Sequence, residues 1–406
     1  MDRNGKLETI GTLTELAPDD DAVWQSYREQ WDVSPGTIYL NHGSFGPPPR
    51  PVQAARRAWL QRLESQPMDF FFRSLEPELA DVRSKLAQLT GTSPDNLVCV
   101  ENATYGMNIV AASVACQSGD EVLLTDHEYG AVIRIWQRAC QRARISSPKI
   151  AVLPLPIESE DQIVDAIFSA VTSSTRLIVV SHITSPTAVT LPVAAICRRV
   201  RERGIMTCVD GPHAVAQLPL DLDGLDCDFY TASCHKWLCA PFGSGFLYVH
   251  PRRQKTIQPT MLSWGRLAGR EIQNWSDEFQ WMGTRDPTPL LSIGSAIEFM
   301  GSVGWETFRR RTHWLAQYAR RRLSEVTRRE PLTPNSNRWY ASMAHVPLGP
   351  GDGASLQKIL REKHGIEVPI IEFGGTRFIR VSCHLYNTQQ EIDCLVEAVR
   401  ELLRKE

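Results

Sequence analysis

Two residues define the chemistry available to this chain, Asp210 and Lys236. Each closes a short apolar run: residues 206–209 lead into Asp210-Gly211-Pro212-His213, and residues 229–233 lead into Cys234-His235-Lys236. Short apolar runs bounded by turn residues read as buried strands. In open α/β sheets, ligands sit outside the carboxyl ends of the strands. An acid and a lysine delivered there make the pair that pyridoxal phosphate (PLP) takes, a lysine for a Schiff base and an acidic partner for the pyridine nitrogen. Desolvation would lower the Lys236 pKa so that part of the amine is neutral and nucleophilic. Taken singly, each residue has a plainer reading, Asp210 as a strand-end cap and Lys236 as a solvated side chain.

Two further groups suit the same ligand. Arg380 offers a guanidinium, which grips a carboxylate bidentately as a lysine does not. It is the candidate for a substrate α-carboxylate, with Arg377 as a neighbouring rival and a surface arginine as the plain alternative. The second group is a helix start. A strand at 97–100 meets Glu101-Asn102-Ala103-Thr104, and Met107, Val110, Ala111 and Val114 then recur at helical spacing. The first backbone N–H groups of a helix lack intrahelical partners, so Ala103 and Thr104 are placed to hold a phosphate. An ordinary threonine N-cap explains the same residues.

The elements that must carry these groups alternate. Strands are predicted at 37–40, 97–100, 121–125, 150–155, 177–183, 206–210, 229–233 and 245–249, with helices at 52–65, 77–90, 132–144, 161–172 and 193–204. Apolar strands separated by helices predict an α/β fold, a mostly parallel sheet covered on both faces. Residues 289–328 read as a long helix broken near Gly301–Gly304. Residues 341–347, 354–364, 366–369, 378–382 and 388–405 then form a smaller α+β domain. The expected division is an N-terminal arm at 1–35, packed on the small domain, a large domain at 36–288, and a linking helix with the small domain at 289–406. Asp19-Asp20-Asp21 reads as a solvated charge run, and the tryptophans at 264, 275 and 281 mark the irregular stretch 252–286 as an interface or a lining.

A net charge of −2 gives no reason to expect nucleic acid or an anionic membrane as partner. No apolar run is long enough to span a bilayer, and the first residues lack the apolar core of a signal peptide. The 10 cysteines show no paired spacing and read as reduced thiols. No Cys/His cluster has zinc spacing, so no metal is expected. A cytoplasmic enzyme is the expectation.

The motifs VDGPHA and DFYTASCHKWLCAPFGSGFLYV resemble those of the class V aminotransferases, fold-type-I PLP enzymes, in the branch of isopenicillin N epimerase-like proteins. LNHGSFGPPP, QPMDFFFR, NATYGMN, DHEYGA, SHITSPT, GTRD and RVSCHLYNTQQEID add to the match. The resemblance implies a seven-stranded, mostly parallel sheet and a smaller C-terminal domain. It places His213 near the ring hydroxyl, Ser233 and His235 at the phosphate, and Ser185 near the ring oxygen, where relatives often have Asn. Tyr129 is the candidate to stack on the ring, with His127 as its rival. Thr284 matches a residue that reaches the phosphate of a neighbouring subunit, which implies a homodimer. The loop at 41–49 is expected over the site, with Asn41, Ser44 and Phe45, the 68–72 stretch and Trp264 as substrate contacts. Residues 68–72 suit core packing equally, and the loop suits a plain connector.

The activity implied is chemistry at Cα of an amino acid, either epimerisation or racemisation, or β-elimination by a C–S lyase. A cysteine desulfurase is disfavoured because EVPIIEFGGTRF, ahead of Arg380, holds no cysteine, and Cys383 and Cys234 read as small buried fillers. Transamination is the weaker fourth reading.

Overall fold

The computed structural model describes residues 16–264 and 271–404. Its strands, in chain order, are β1 (Ile38–Tyr39), β2 (Leu97–Val100), β3 (Glu121–Thr125), β4 (Lys149–Ala151), β5 (Thr175–Ser181), β6 (Met206–Asp210), β7 (Phe229–Ser233), β8 (Gly245–Val249), β9 (Met343–Pro347), β10 (Ile366–Glu367), β11 (Ile370–Phe373) and β12 (Thr376–Ser382). Seven of them form the large sheet, in the order β2-β8-β7-β6-β5-β3-β4. All its pairings are parallel except the two made by β8.

The sheet is buried on both faces because successive side chains point to opposite sides. Leu97 and Cys99 join one apolar cluster, and Val98 and Val100 join the other. Ile178 and Val180 divide from Leu177 and Val179 in the same way. The helices Leu75–Thr90, Glu160–Ser169 and Val193–Glu202 cover the first face, and Ala103–Ser113 and Gly130–Arg142 the second. Glu160–Ser169 starts in a capping box in which Ser159 and Gln162 satisfy each other's backbone N–H groups.

The C-terminal unit has the antiparallel sheet β11-β12-β9; the helix Trp305–Thr327 packs on β9 and β12 and against the helix Gln389–Leu403, and Gly353–His364 packs on β11. The expected break in the long helix falls at Gly304, whose φ of +87° no continuing helix adopts. Strand β11 is new relative to the sequence reading. It turns into β12 through Gly374 and Gly375, both at positive φ, with Phe373 opposite Thr376. Strand β4 is shorter than expected and ends at Ala151.

The expected division at residue 36 assigns β1 to the large unit, yet its hydrogen bonds run to the C-terminal one. Ile38 pairs with Ile366, and Asn41 bridges Ser382. Leu40 lies within the apolar cluster of that unit. The arm before it is anchored too: Asp21 pairs with the buried Arg311, so the acidic run is not simply solvated.

Candidate active site

Asp210, Ser181 and Ser233 end β6, β5 and β7 at the same edge of the large sheet. They line a cavity of about 320 Å³, closed from the other side by Gly43, Ser44 and Phe45 and by Arg380 of β12. The cavity therefore lies between the two units, at the strand ends where the sheet topology places ligands. Its size is that of a small-molecule site.

Lys236 reaches the cavity from the turn after β7. Its amine lies 3.0 Å from His213 Nε2, and the Trp237 indole N–H donates to His213 Nδ1 at 3.3 Å. An imidazole that accepts at Nδ1 and stays neutral carries its proton on Nε2. Burial, together with the Lys236 charge, holds His213 far below its ordinary pKa, so the neutral form is kept. The proton then points at the amine, which favours a neutral Lys236. The amine pKa is lowered to about 8, chiefly by burial; the Asp210 charge opposes that shift. Burial raises Asp210 to about 6, against the pull of Lys236 and of the Thr231 hydroxyl, which donates to Asp210 at 3.2 Å. Gly211 is required between them, because a Cβ there would sit 2.0 Å from the Tyr230 ring.

The helix Ala103–Ser113 points its start into the cavity. Asn102 caps it by accepting from the Tyr105 N–H. The Ser233 hydroxyl accepts from the Ala103 N–H at 2.9 Å, so Ser233 positions the helix start as well as lining the cavity. His235 lies beside it with a buried Nδ1 that has no partner among the described residues, and burial lowers its pKa to about 4.

Arg380 is buried, and among the described residues no carboxylate pairs with it. Its guanidinium donates to the Ser44 hydroxyl at 3.0 Å and to the Ser185 carbonyl and hydroxyl, while Nε has no partner. Burial lowers its pKa to about 10. Arg377 points the other way, toward the carbonyls of Gly349 and Pro350. Residues three apart on a strand face opposite sides, which separates the two arginines.

The cavity also separates the ring-stacking rivals. Tyr129 lines it and is 51% exposed. His127 is buried against Phe373, with Nδ1 on Asp126.

Four of the expected positions lie outside this cavity. Asn41 does not line the cavity; Ser382 bonds the residues on either side of it, Leu40 and His42, its own carbonyl accepts from the Ser44 N–H, and its side chain is buried. The 68–72 stretch lies outside it, with Phe70 buried against Trp59 and Met68 and Phe72 exposed. Trp264 is exposed outside it. Thr284 is exposed and does not line the cavity of its own chain, although Arg285 beside it pairs with Glu101, just before the helix start.

Two residues escaped the sequence reading. Ser181 had the signal that exposed Asp210, the last place of a buried strand. Glu128 stood inside DHEYGA but lacked a distinguishing sign. It is buried and accepts from the Thr125 hydroxyl and from both the N–H and the hydroxyl of Ser181.

The family model described as aminotransferase class-V matches residues 68–395. An isopenicillin N epimerase of Amycolatopsis lactamdurans is 37% identical over 94% of this chain and 98% of its own length. A probable chloroplastic L-cysteine desulfhydrase of Arabidopsis thaliana is 28% identical over 91% of this chain and 84% of its own. Among solved structures, a C-DES mutant with glycine covalently linked to its PLP cofactor superposes with a TM-score of 0.79 at 24% identity, covering 92% of this chain and 99% of that one.

Proposed function

The chain belongs to the class V aminotransferase family, and from that premise we propose that it is a PLP-dependent enzyme that epimerises an amino acid at Cα. The observation that carries this reading is Arg380: a buried guanidinium without a carboxylate partner, in the same cavity as Lys236. An amino acid brings the missing carboxylate.

The residues present fit the cofactor. The Asp210 carboxylate reaches the cavity with Thr231 as its hydrogen-bond donor. Lys236 supplies an amine of lowered pKa. Thr104 at the helix start and the unpartnered Nδ1 of His235 stand ready for the phosphate. When bound, PLP draws electron density away from Cα through its pyridinium ring.

This chain's own groups do the rest. Lys236 would hold the cofactor through its amine and take the Cα proton; inversion then needs that proton returned on the opposite face, by a second donor or by a lysine that moves across. Asp210 keeps the pyridine nitrogen protonated, and the buried surroundings strengthen that charge pair. His213 and Ser185 would stand on the side of the ring oxygen and Tyr129 would cover the ring, all three lining the cavity. Arg380 and Ser44 hold the α-carboxylate, which fixes the Cα–H bond toward the amine. Thr284 serves the phosphate of a second copy of the chain in a homodimer.

Epimerisation is favoured by the 37% identity to an isopenicillin N epimerase. A second reading, a β-eliminating C–S lyase, is favoured by the desulfhydrase relative. Desulfuration has no support in the site, because no cysteine lines the cavity among the described residues.

Proton NMR of the PLP-loaded protein in heavy water tests the choice. The substrates are L-cysteine, a cysteine S-conjugate and a penicillin with an aminoadipyl side chain. Loss of the Cα–H signal with growth of the opposite configuration at Cα is the expected result. A keto acid with released thiol or sulfide would establish the lyase instead.

A further inference from the structure

Beneath the lysine turn lies a buried cluster that the reading above does not use. His42, Trp237, Cys239, His384 and Tyr386 pack together out of solvent. The rings of His42 and His384 stack with centroids 4.1 Å apart and planes 19° from parallel. His42 Nδ1 lies 2.9 Å from the Tyr386 hydroxyl, and its Nε2 lies 3.1 Å from the carbonyl oxygen of Lys236.

The protons in this arrangement can be assigned. A carbonyl oxygen only accepts, so His42 Nε2 carries a hydrogen. Burial pushes the ring's pKa down to about 3, so the ring is neutral and Nδ1 is bare. The Tyr386 hydroxyl therefore donates to Nδ1, and Nε2–H donates to the Lys236 carbonyl. Tyr386 follows β12, the strand that carries Arg380. The loop is shaped for this contact as well. A Cβ on Gly46 would lie 2.6 Å from His42 Nε2 and 2.7 Å from the carbonyl oxygens of His235 and Lys236.

A metal ion is the rival occupant. Cys239 Sγ lies 3.7 Å from His42 Nε2 and 3.4 Å from His384 Nε2. Those separations suit a tetrahedral zinc. The stacked rings do not, because their in-plane lone pairs run side by side instead of converging, and His42 Nε2 already carries a hydrogen. The cluster is a hydrogen-bonded knot.

We propose that His42 is a positioning residue: held by Tyr386, it grips the Lys236 main chain and sets the reach of the lysine amine toward a substrate carboxylate on Arg380. This rests on the reading that Lys236 carries the cofactor.

The test uses the PLP-loaded protein, with H42L, H42Q and Y386F as variants. Two quantities are read, the dissociation constant for PLP and the pH midpoint of the visible band of the lysine-linked cofactor. Leucine fills the space but cannot donate. H42L is expected to bind PLP about tenfold more weakly, as for loss of one buried hydrogen bond. Its midpoint is expected to move by about half a pH unit or more. The glutamine amide offers both a donor and an acceptor, so H42Q should stay near wild type, with Y386F in between. H42L matching wild type, or H42Q as impaired as H42L, overturns the proposal. If H42L does not fold, Y386F decides: a shifted midpoint with H42Q near normal supports the proposal, and an unmoved one sinks it. A wild-type protein without a visible band in PLP sinks the cofactor reading and the proposal together. A normal band with unmoved variants sinks the proposal alone.

Discussion

Arg380 shows what single residues can and cannot announce. The sequence offered two arginines three places apart, and alternation along a strand puts them on opposite faces. Which face meets the cavity depends on β12 pairing with β9 and on the loop at Ser44, both set by distant chain. Replacing Arg380 with alanine removes the carboxylate partner and one of the charges that lower the Lys236 pKa, while burial, the larger cause, stays. R380A should keep the PLP absorption band and bind amino acids about 10- to 100-fold more weakly, which spectral titration with substrate measures. An unchanged substrate affinity would move the carboxylate site elsewhere. Tyr129 and His127 posed a harder choice. They are two places apart in a turn, where no periodicity assigns a side, and the structure packs His127 against Phe373.

At the level of elements, the parallel strands were legible because each is a short apolar run closed by a turn. The hairpin of β11 and β12 was legible in principle as well. Gly-Gly between apolar runs is a strong two-residue turn signal, but Pro369, which lacks a backbone N–H, reads as the end of one strand and masks the start of the next. Glu128 was hidden, because burial of an acid leaves no mark on the sequence. It joins the end of β3 to the end of β5 through Ser181. Burial raises its pKa to about 7 from 4.5, with the Asp210 charge adding to the rise. The folded chain thus keeps a proton that the unfolded chain has released in that window. The stabilisation is complete below about pH 4.5 and lost as pH rises through about 7. Glutamine keeps the shape and does not titrate. The stability of E128Q relative to wild type should therefore climb across the window, by ~3 kcal/mol at most. Urea unfolding at several pH values reads this directly, and parallel curves would refute it.

For the whole molecule, the exposed apolar residues matter. Met261, Leu262, Trp264 and Ile272 are apolar and each more than half exposed. Exposed apolar patches mark contacts with other chains. The homodimer reading predicts sedimentation as a dimer. It also predicts complementation between K236A and T284A. A hybrid of these two chains has one site with an intact lysine and an intact threonine from the other copy. Mixing and refolding the pair should restore a visible PLP band and activity beyond those of either variant. No recovery would place Thr284 in the service of its own chain.

The pairing of β1 with β10 has a consequence for how the protein is made. Asn387 donates to the Tyr39 carbonyl across 348 residues of chain. A ribosome releases the first of these partners long before the second exists. The large sheet, whose strands all lie between them, can assemble while the polypeptide is still growing. The loop with Ser44 and the strand with Arg380 meet only at the end of translation, so the nascent chain holds Lys236 and Asp210 early and closes the cavity over them last.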